Sequence, residues 1–391
     1  MRQSILPTAS VPDIPDEVFP YMNRIETKKI WDSLRSWFVP RGYFLYPQNE
    51  LEQPKPEGPR MRRLSDLSAK YPYSHVPDPN PIARTCRARG TLYPAMNKDY
   101  RDVMIKMVPT DGNEHEVFQH FKDGAFRRDE LVTLIPALDI LPFDERWTFI
   151  VLPRWGSICG LLDIGFNNVG CALKFALTIL KGLAFMHKNL IAHRDIRPEN
   201  MLINILTSVD VTDLRKFLDS GRARFALCDF GLSYKFPPGT PPEELVLPID
   251  ERDFGTLEYH PPDGLKGELV FDPFAFDVAC LGGVFCQLFG HLTTIVPDLA
   301  PFLDRMITPD IPARCTAEVA LRTLKDLHAK LDPKTLSTRV KCRPFGAWQA
   351  KDRWAGLPEE FVRACAAQMP LVRPQEKSYD LDSGPFLIDH F

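Results

Sequence analysis

His193-Arg194-Asp195-Ile196-Arg197-Pro198-Glu199-Asn200 is the stretch that decides how this 391-residue chain folds. Upstream of it, Leu173, Ala176, Leu180, Leu183 and His187 recur at spacings of three and four, which predicts a strong amphipathic helix over 169–188. Downstream, Asp229-Phe230-Gly231 follows a strand-like run at 225–228. Gly255-Thr256-Leu257-Glu258-Tyr259-His260-Pro261-Pro262-Asp263 comes next. Residues 275–290 are apolar nearly all round and predict a buried helix. The insertion at 205–222, with Asp210, Asp213, Arg215, Lys216 and Asp219, reads as a surface hairpin.

Before the helix the pattern changes. Residues 102–108 and 147–152 are rich in branched and aromatic side chains and predict strands. Residues 113–121 between them read as a helix. A second helix is expected at 27–38, with Ile30, Trp31, Leu34, Trp37 and Phe38 on one face. Such a face is expected to dock on the main body. Residues 52–62 read as a linker.

Proline marks the same divisions. The chain has 37, about twice the usual share. Twelve fall in residues 1–80 and seven in 237–262, but only Pro198 lies in 156–236. Long helices need such a proline-poor stretch. The other 17 are spread over the remaining segments.

Composition excludes several classes. Apolar residues are 44% and charged residues 25%, as in ordinary globular proteins. A net charge of −3 leaves no basic footprint for nucleic acid. The nine cysteines include no CxxC pair, so a zinc ribbon or thioredoxin-type motif is unsupported. No apolar leader and no run of about 18 uncharged apolar residues is visible, so no membrane span is expected. A cytoplasmic or nuclear location with reduced thiols is the expectation.

Taken in order, these segments resemble the eukaryotic protein kinase superfamily: HRDxxxxN at 193–200, DFG at 229–231 and GTxxYxPP at 255–262. Val103-Met104-Ile105-Lys106 resembles the family's VAIK strand. Asp277 and Arg314 resemble its later buried-helix aspartate and its late arginine. The resemblance covers roughly residues 81–330, and the arrangement is also similar to kinase-like proteins of fungi. It implies an α+β, bilobal fold with a small β-rich N-lobe and a larger helical C-lobe. The expected divisions are an N-terminal extension (1–80), N-lobe (81–155), C-lobe (156–330) and C-terminal extension (331–391).

The implied activity is transfer of the ATP γ-phosphate to Ser/Thr hydroxyls of a protein substrate, with ATP and Mg²⁺ as cofactors and neither nucleic acid nor membrane as partner. Such transfer needs positioning and charge neutralisation more than covalent help. Asp229 and Asn200 would supply oxygen ligands to Mg²⁺. Asp195 would orient the attacking hydroxyl, and Arg197 would reach the γ-phosphate. Lys106 would hold the α/β-phosphates and needs a carboxylate partner. Glu114 is assigned that role over Glu116, because Val117, Phe118 and Phe121 follow it at plus three, four and seven. Phe118 is then expected to stack toward Phe230 and His193. Arg314 is expected to pair with Asp263.

Two departures bear on activity. Where a GxGxxG loop should precede Lys106, the chain offers only Gly90. The resemblance implies that Arg194 pairs with an activation-segment phosphate; Glu251 or Asp253 is expected to mimic it. Ser233, Tyr234, Thr240 and Thr256 are candidate phosphosites in that segment, with Thr256 read rather as a contact to Asp195, and Ser65 is a candidate in the linker. A pseudokinase scaffold is the alternative reading, with a small-molecule phosphotransferase of the same fold third.

Overall fold

The computed structural model describes residues 24–46, 71–75, 90–127, 131–205, 211–252, 261, 269–340 and 353–368. In the smaller lobe, helix α1 (Arg24–Phe38) precedes strands β1 (Tyr43–Leu45), β2 (Leu92–Asn97) and β3 (Asp102–Pro109). Helix α2 (Asn113–Asp123) and strands β4 (Asp139–Pro142) and β5 (Trp147–Pro153) follow. The strands form one antiparallel sheet in the order β1-β2-β3-β5-β4.

The period of two along β3 divides its side chains between two cores. Val103, Ile105 and Met107 face outward against α1, in a cluster with Trp31, Leu34, Phe38, Tyr93 and Phe149. Met104 and Val108 face the other way, into the main core. Lys106 shares their side of the strand, opposite Leu92 on β2 and Ile150 on β5. The aromatic face of α1 does dock: Trp31, Leu34 and Phe38 are all 0% exposed, and Phe38 lies edge-on to Phe149 at 4.8 Å.

The expected boundary at residue 80 does not divide the structure there. β1 supplies an edge strand of the sheet, with Tyr43 opposite Asn97 and Leu45 opposite Ala95. Three residues are too few to show an alternating pattern, so its membership depends on pairing rather than on local sequence.

The larger lobe is helical. It begins with β6 (Gly156–Ser157), α3 (Cys159–Ile164), α4 (Val169–Lys188), β7 (Ile191–Ala192) and β8 (Met201–Ile203). Then come α5 (Val211–Asp219), β9 (Phe225–Leu227), β10 (Tyr234–Lys235), β11 (Leu247–Pro248) and β12 (Val270–Phe271). Helices α6 (Pro273–Phe289), α7 (Leu299–Ile307), α8 (Ala317–Lys330), α9 (Pro333–Ser337) and α10 (Glu359–Gln368) complete it.

The Asn168 side chain caps α4, accepting from Cys171 N–H at 2.8 Å. Asp272 caps α6 through the N–H groups of Phe274 and Ala275, and Pro273 sits at the first turn. α6 can approach α7 closely because of Gly282: a Cβ built there would lie 2.5 Å from Ile307. By length and composition alone α4 and the stretch Pro273–Leu292, which α6 begins, are apolar enough to cross a membrane, but 61% and 72% of their apolar windows are buried inside the fold. The expected hairpin at 205–222 is replaced by α5, because Leu214, Phe217 and Leu218 form an apolar stripe that buries itself.

The larger lobe also extends past residue 330. Asn168 and Arg339 form a β-bridge, and buried Arg353 donates to the equally buried Asp304, which also accepts from Trp354 Nε1 at 3.1 Å. A short segment crosses between the lobes. Asn97 Nδ2 donates to Tyr73 Oη at 3.1 Å, Trp155 Nε1 donates to Pro72 O at 2.6 Å, and His75 N donates to Asn204 O at 2.8 Å. His75 also stacks on Phe217 of α5 at 5.0 Å.

Candidate active site

The site starts from one buried carboxylate. Asp277 on α6 is 0% exposed and accepts from His193 N–H and Arg194 N–H, each at 2.7 Å. It also meets His187 Nε2 at 3.0 Å. These bonds hold Arg194 at φ 67°, a left-handed conformation that a long side chain adopts only when its surroundings enforce it. The His193 ring contacts Cys228 O at 3.1 Å through Nε2, tying the 193–200 loop to the 229–231 segment.

Asp195 and Asn200 are joined across a short 3₁₀ turn over Pro198–Asn200. Asn200 Nδ2 donates to Asp195 Oδ2 at 2.7 Å and to Asp195 O at 2.9 Å. Its amide nitrogen is thus committed, which leaves the carbonyl oxygen as its acceptor. Arg197 is turned to Glu199, Nε to Oε2 at 3.2 Å.

Lys106 reaches across the cleft. Its Nζ lies 2.6 Å from Glu114 Oε2 and 2.7 Å from Asp229 Oδ1. Glu114 also accepts from Phe230 N–H at 3.2 Å. Glu116, the other candidate on α2, instead meets Lys235 of β10 at 2.8 Å. Asp229 has φ 65°, tolerable for an aspartate, and Phe230 is 0% exposed. Phe230 packs against Phe118 at 5.1 Å, Phe121 at 5.9 Å and His193 at 5.7 Å. Phe118 therefore meets Phe230 edge-on in place of the expected stack, and it is Phe230 that reaches His193, continuous with the ion pair beside it.

The charges settle accordingly. Burial alone would lower the Lys106 pKa, but the two facing carboxylates outweigh it and hold the ammonium above the ordinary lysine range. Burial pushes Glu114 above the usual carboxylate range against the pull of Lys106. Burial also works on Asp229, but there Lys106 prevails and holds the carboxyl below its usual range. Asp229 is thus the better-ionised oxygen donor of the two.

In the 229–263 segment, Arg194 Nη2 lies 3.3 Å from Glu251 Oε2 and also donates to the Glu251 carbonyl. Of the two expected acidic partners, Asp253 lies outside the described residues. Ser233 is 0% exposed and its hydroxyl donates to His193 O at 3.3 Å, so it is no accessible phosphosite in this conformation. Ser65, Thr256 and Asp263 lie outside the described residues. Arg314, expected to pair with Asp263, donates to Thr308 O and to Ala275 O, at 2.7 and 3.0 Å for the closest contacts.

An ammonium, two metal-capable oxygen donors and a carboxylate base candidate thus converge on one cleft between a sheet and a helical lobe. The family model of the protein kinase domain matches residues 168–293. The chain carries a protein kinase domain. Its sheet-bearing N-terminal region and helical C-terminal region make the bilobal, mixed α+β kinase fold. A striated muscle preferentially expressed protein kinase of Danio rerio is 33% identical over 99 residues, which is 25% of this chain and 3% of that protein.

Several residues that shape the kinase cleft are not evident from motifs. Lys235 links β10 to α2 through Glu116, and Trp31 donates to Gly90 O at 3.0 Å. Tyr46 Oη donates to Asp102 Oδ1 at 2.6 Å. The one sequence signal for this last group is the clustering of aromatics at 31–46.

Proposed function

We propose that this chain is a Mg·ATP-dependent protein kinase that phosphorylates Ser/Thr hydroxyls. The observation that carries the reading is the Lys106–Glu114–Asp229 cluster, closed at 2.6 and 2.7 Å beside the Asp195–Asn200 pair. Kinase transfer requires the Lys–Glu pair and the aspartate of the 229–231 segment together.

The donor chemistry fits the nucleotide and its metal. Asp229 and the Asn200 carbonyl are hard oxygen donors suited to Mg²⁺, and Lys106 suits the α/β-phosphates. Mg²⁺, when bound, neutralises charge on the phosphates. Asp195 is held by Asn200 in an orientation where it can accept the substrate hydroxyl proton. Arg197 must leave Glu199 to meet the γ-phosphate. Thr256 favours Ser/Thr over Tyr as acceptor. The free thiols of the described cysteines suit a cytoplasmic or nuclear location.

The pseudokinase reading draws its support from the missing glycine repeat before β2. Both are tested by Mg·ATP thermal shift and by γ-phosphate transfer to a peptide library, for wild type and Asp229→Ala. Metal-dependent binding and peptide transfer, both lost in the variant, support the kinase. Nucleotide binding without transfer, or no binding, supports the scaffold. Transfer to a small alcohol but not to peptides supports a small-molecule phosphotransferase.

A further inference from the structure

One helix holds both ends of the long connection that stands where kinases place a glycine hairpin. The chain leaves β1 at Leu45 and Tyr46 and enters β2 through Gly90 and Thr91. The first end lies beside the middle of β2: Tyr46 N–H donates to Pro94 O at 3.1 Å, and the chain runs four residues further back to Gly90. Arg35 of α1 grips the first end, Nη1 to Leu45 O at 2.7 Å and Nη2 to Tyr46 O at 3.0 Å. The same Nη2 reaches Tyr93 Oη at 3.1 Å, and that hydroxyl donates to Tyr46 O at 2.8 Å. Trp31, one turn earlier, grips the second end, Nε1 to Gly90 O at 3.0 Å. Gly90 has φ 51°, where a glycine sits without strain.

The grip is rigid and well placed. Trp31 is 0% exposed and packs on Tyr93 at 5.0 Å and Phe149 at 6.0 Å. Leu92 pairs with Lys106, so the clamped end lies beside the lysine that faces the phosphates. Met107 N–H donates to Thr91 O at 2.9 Å, which ties that end to β3. A tight hairpin fixes its own ends. Here residues 47–89 separate the two strands in sequence, and closure entropy grows with length, so contacts from outside help to set the ends. A trans peptide carries its N–H opposite its carbonyl. Holding the Gly90 carbonyl against α1 therefore turns the Thr91 N–H away from α1, which lies on the sheet face opposite Lys106.

We propose that Trp31 and Arg35 are positioning residues for the nucleotide: α1 clamps the β1–β2 mouth over Lys106 and takes over the phosphate-positioning task of the absent glycine hairpin. This rests on the kinase reading above. The test uses the full chain as wild type, Trp31→Phe and Arg35→Gln. Binding of Mg·ATP and of adenosine is measured, together with KM and kcat for ATP and hydrogen exchange at residues 90–93. Arg35→Gln leaves the buried ring cluster intact should Trp31→Phe disturb folding.

Expected are a loss of about five- to tenfold in Mg·ATP affinity, the scale of one lost hydrogen bond or slightly more, adenosine binding and kcat within about twofold, and faster exchange at 90–93. Unchanged ATP affinity overturns the positioning role. Equal weakening for ATP and adenosine overturns it too, because it reports general loosening. A wild type that binds no nucleotide overturns the kinase reading and this role together, a result distinct from either of those.

Discussion

The floor and the roof of the cleft are built in opposite ways. The floor comes from contiguous segments, 193–200 and 229–231, hung from a single buried carboxylate on α6. The roof is assembled from pieces far apart in sequence: Trp31 meets Gly90 across 59 positions, and Arg35 meets Tyr93 across 58. Local segments carry their geometry with them and need one anchor. Distant segments must be brought together by a packed element, here α1 and its aromatic face. The floor is therefore expected to fail as a unit, and the roof by degrees.

The strongest way to test that contrast is Asp277→Ala. It strands two buried N–H groups and removes what holds Arg194 in its left-handed conformation, so about 3 kcal/mol of stability should go, with activity. Urea unfolding and peptide phosphorylation measure both. A small loss would mean that the floor is held from elsewhere.

Next in size is Asp195→Asn, which keeps the Asn200 geometry but removes the base. A fall in kcat of about a hundredfold or more is expected, with ATP binding retained. Equal turnover in variant and wild type would remove Asp195 from the chemistry.

Glu114→Gln and Glu116→Gln sharpen the join between floor and roof. The first should cost about tenfold in kcat/KM, because Lys106 loses its buried partner. The second, which touches only the Lys235 contact, should stay within about threefold. Comparable losses would mean that α2 works through both contacts.

A smaller loss than that of Glu114→Gln is expected from Glu251→Gln in protein treated with phosphatase. Arg194 keeps the Glu251 carbonyl but loses the carboxylate, so a fall of about three- to fivefold is expected. High activity in unphosphorylated wild type and its decline in the variant would show that a carboxylate serves where other kinases use a phosphate. An inactive wild type that an upstream kinase switches on would overturn that role.

Acid sensitivity follows the same division. Asp229 has a folded-state pKa below its usual value because Lys106 outweighs burial. Its contribution to stability is present above the ordinary carboxylate pKa and is lost as pH falls through the lower folded-state value. Asp229→Asn should therefore flatten the acid limb of the melting-temperature profile, which a thermal scan against pH would detect.

How legible each part was depends on how locally it is specified. The helix periodicities at 113–121, 169–188 and 275–290 correspond to α2, α4 and α6, because an amphipathic or wholly apolar stripe encodes its own burial. Val117, Phe118 and Phe121 pointed to Glu114 for the same reason: a helix that buries those three carries the residue one turn earlier to the same face. β1 was not legible, since three residues have no period. α5 is not legible as a helix in the same way, because Asp213, Arg215, Lys216 and Asp219 are interleaved with Leu214, Phe217 and Leu218 over only nine residues.

The sequence by itself determined the kinase motifs, their order and the identities of the residues in the cleft, because those depend on short spacings and on side-chain chemistry. Only the tertiary structure decided that Lys106 is shared between Glu114 and Asp229. It also decided that Glu251 meets Arg194 and that α1 clamps the mouth of the cleft. Those contacts join residues with no common period or motif. They exist because packing two lobes around one core brings distant backbone and charge within bonding distance.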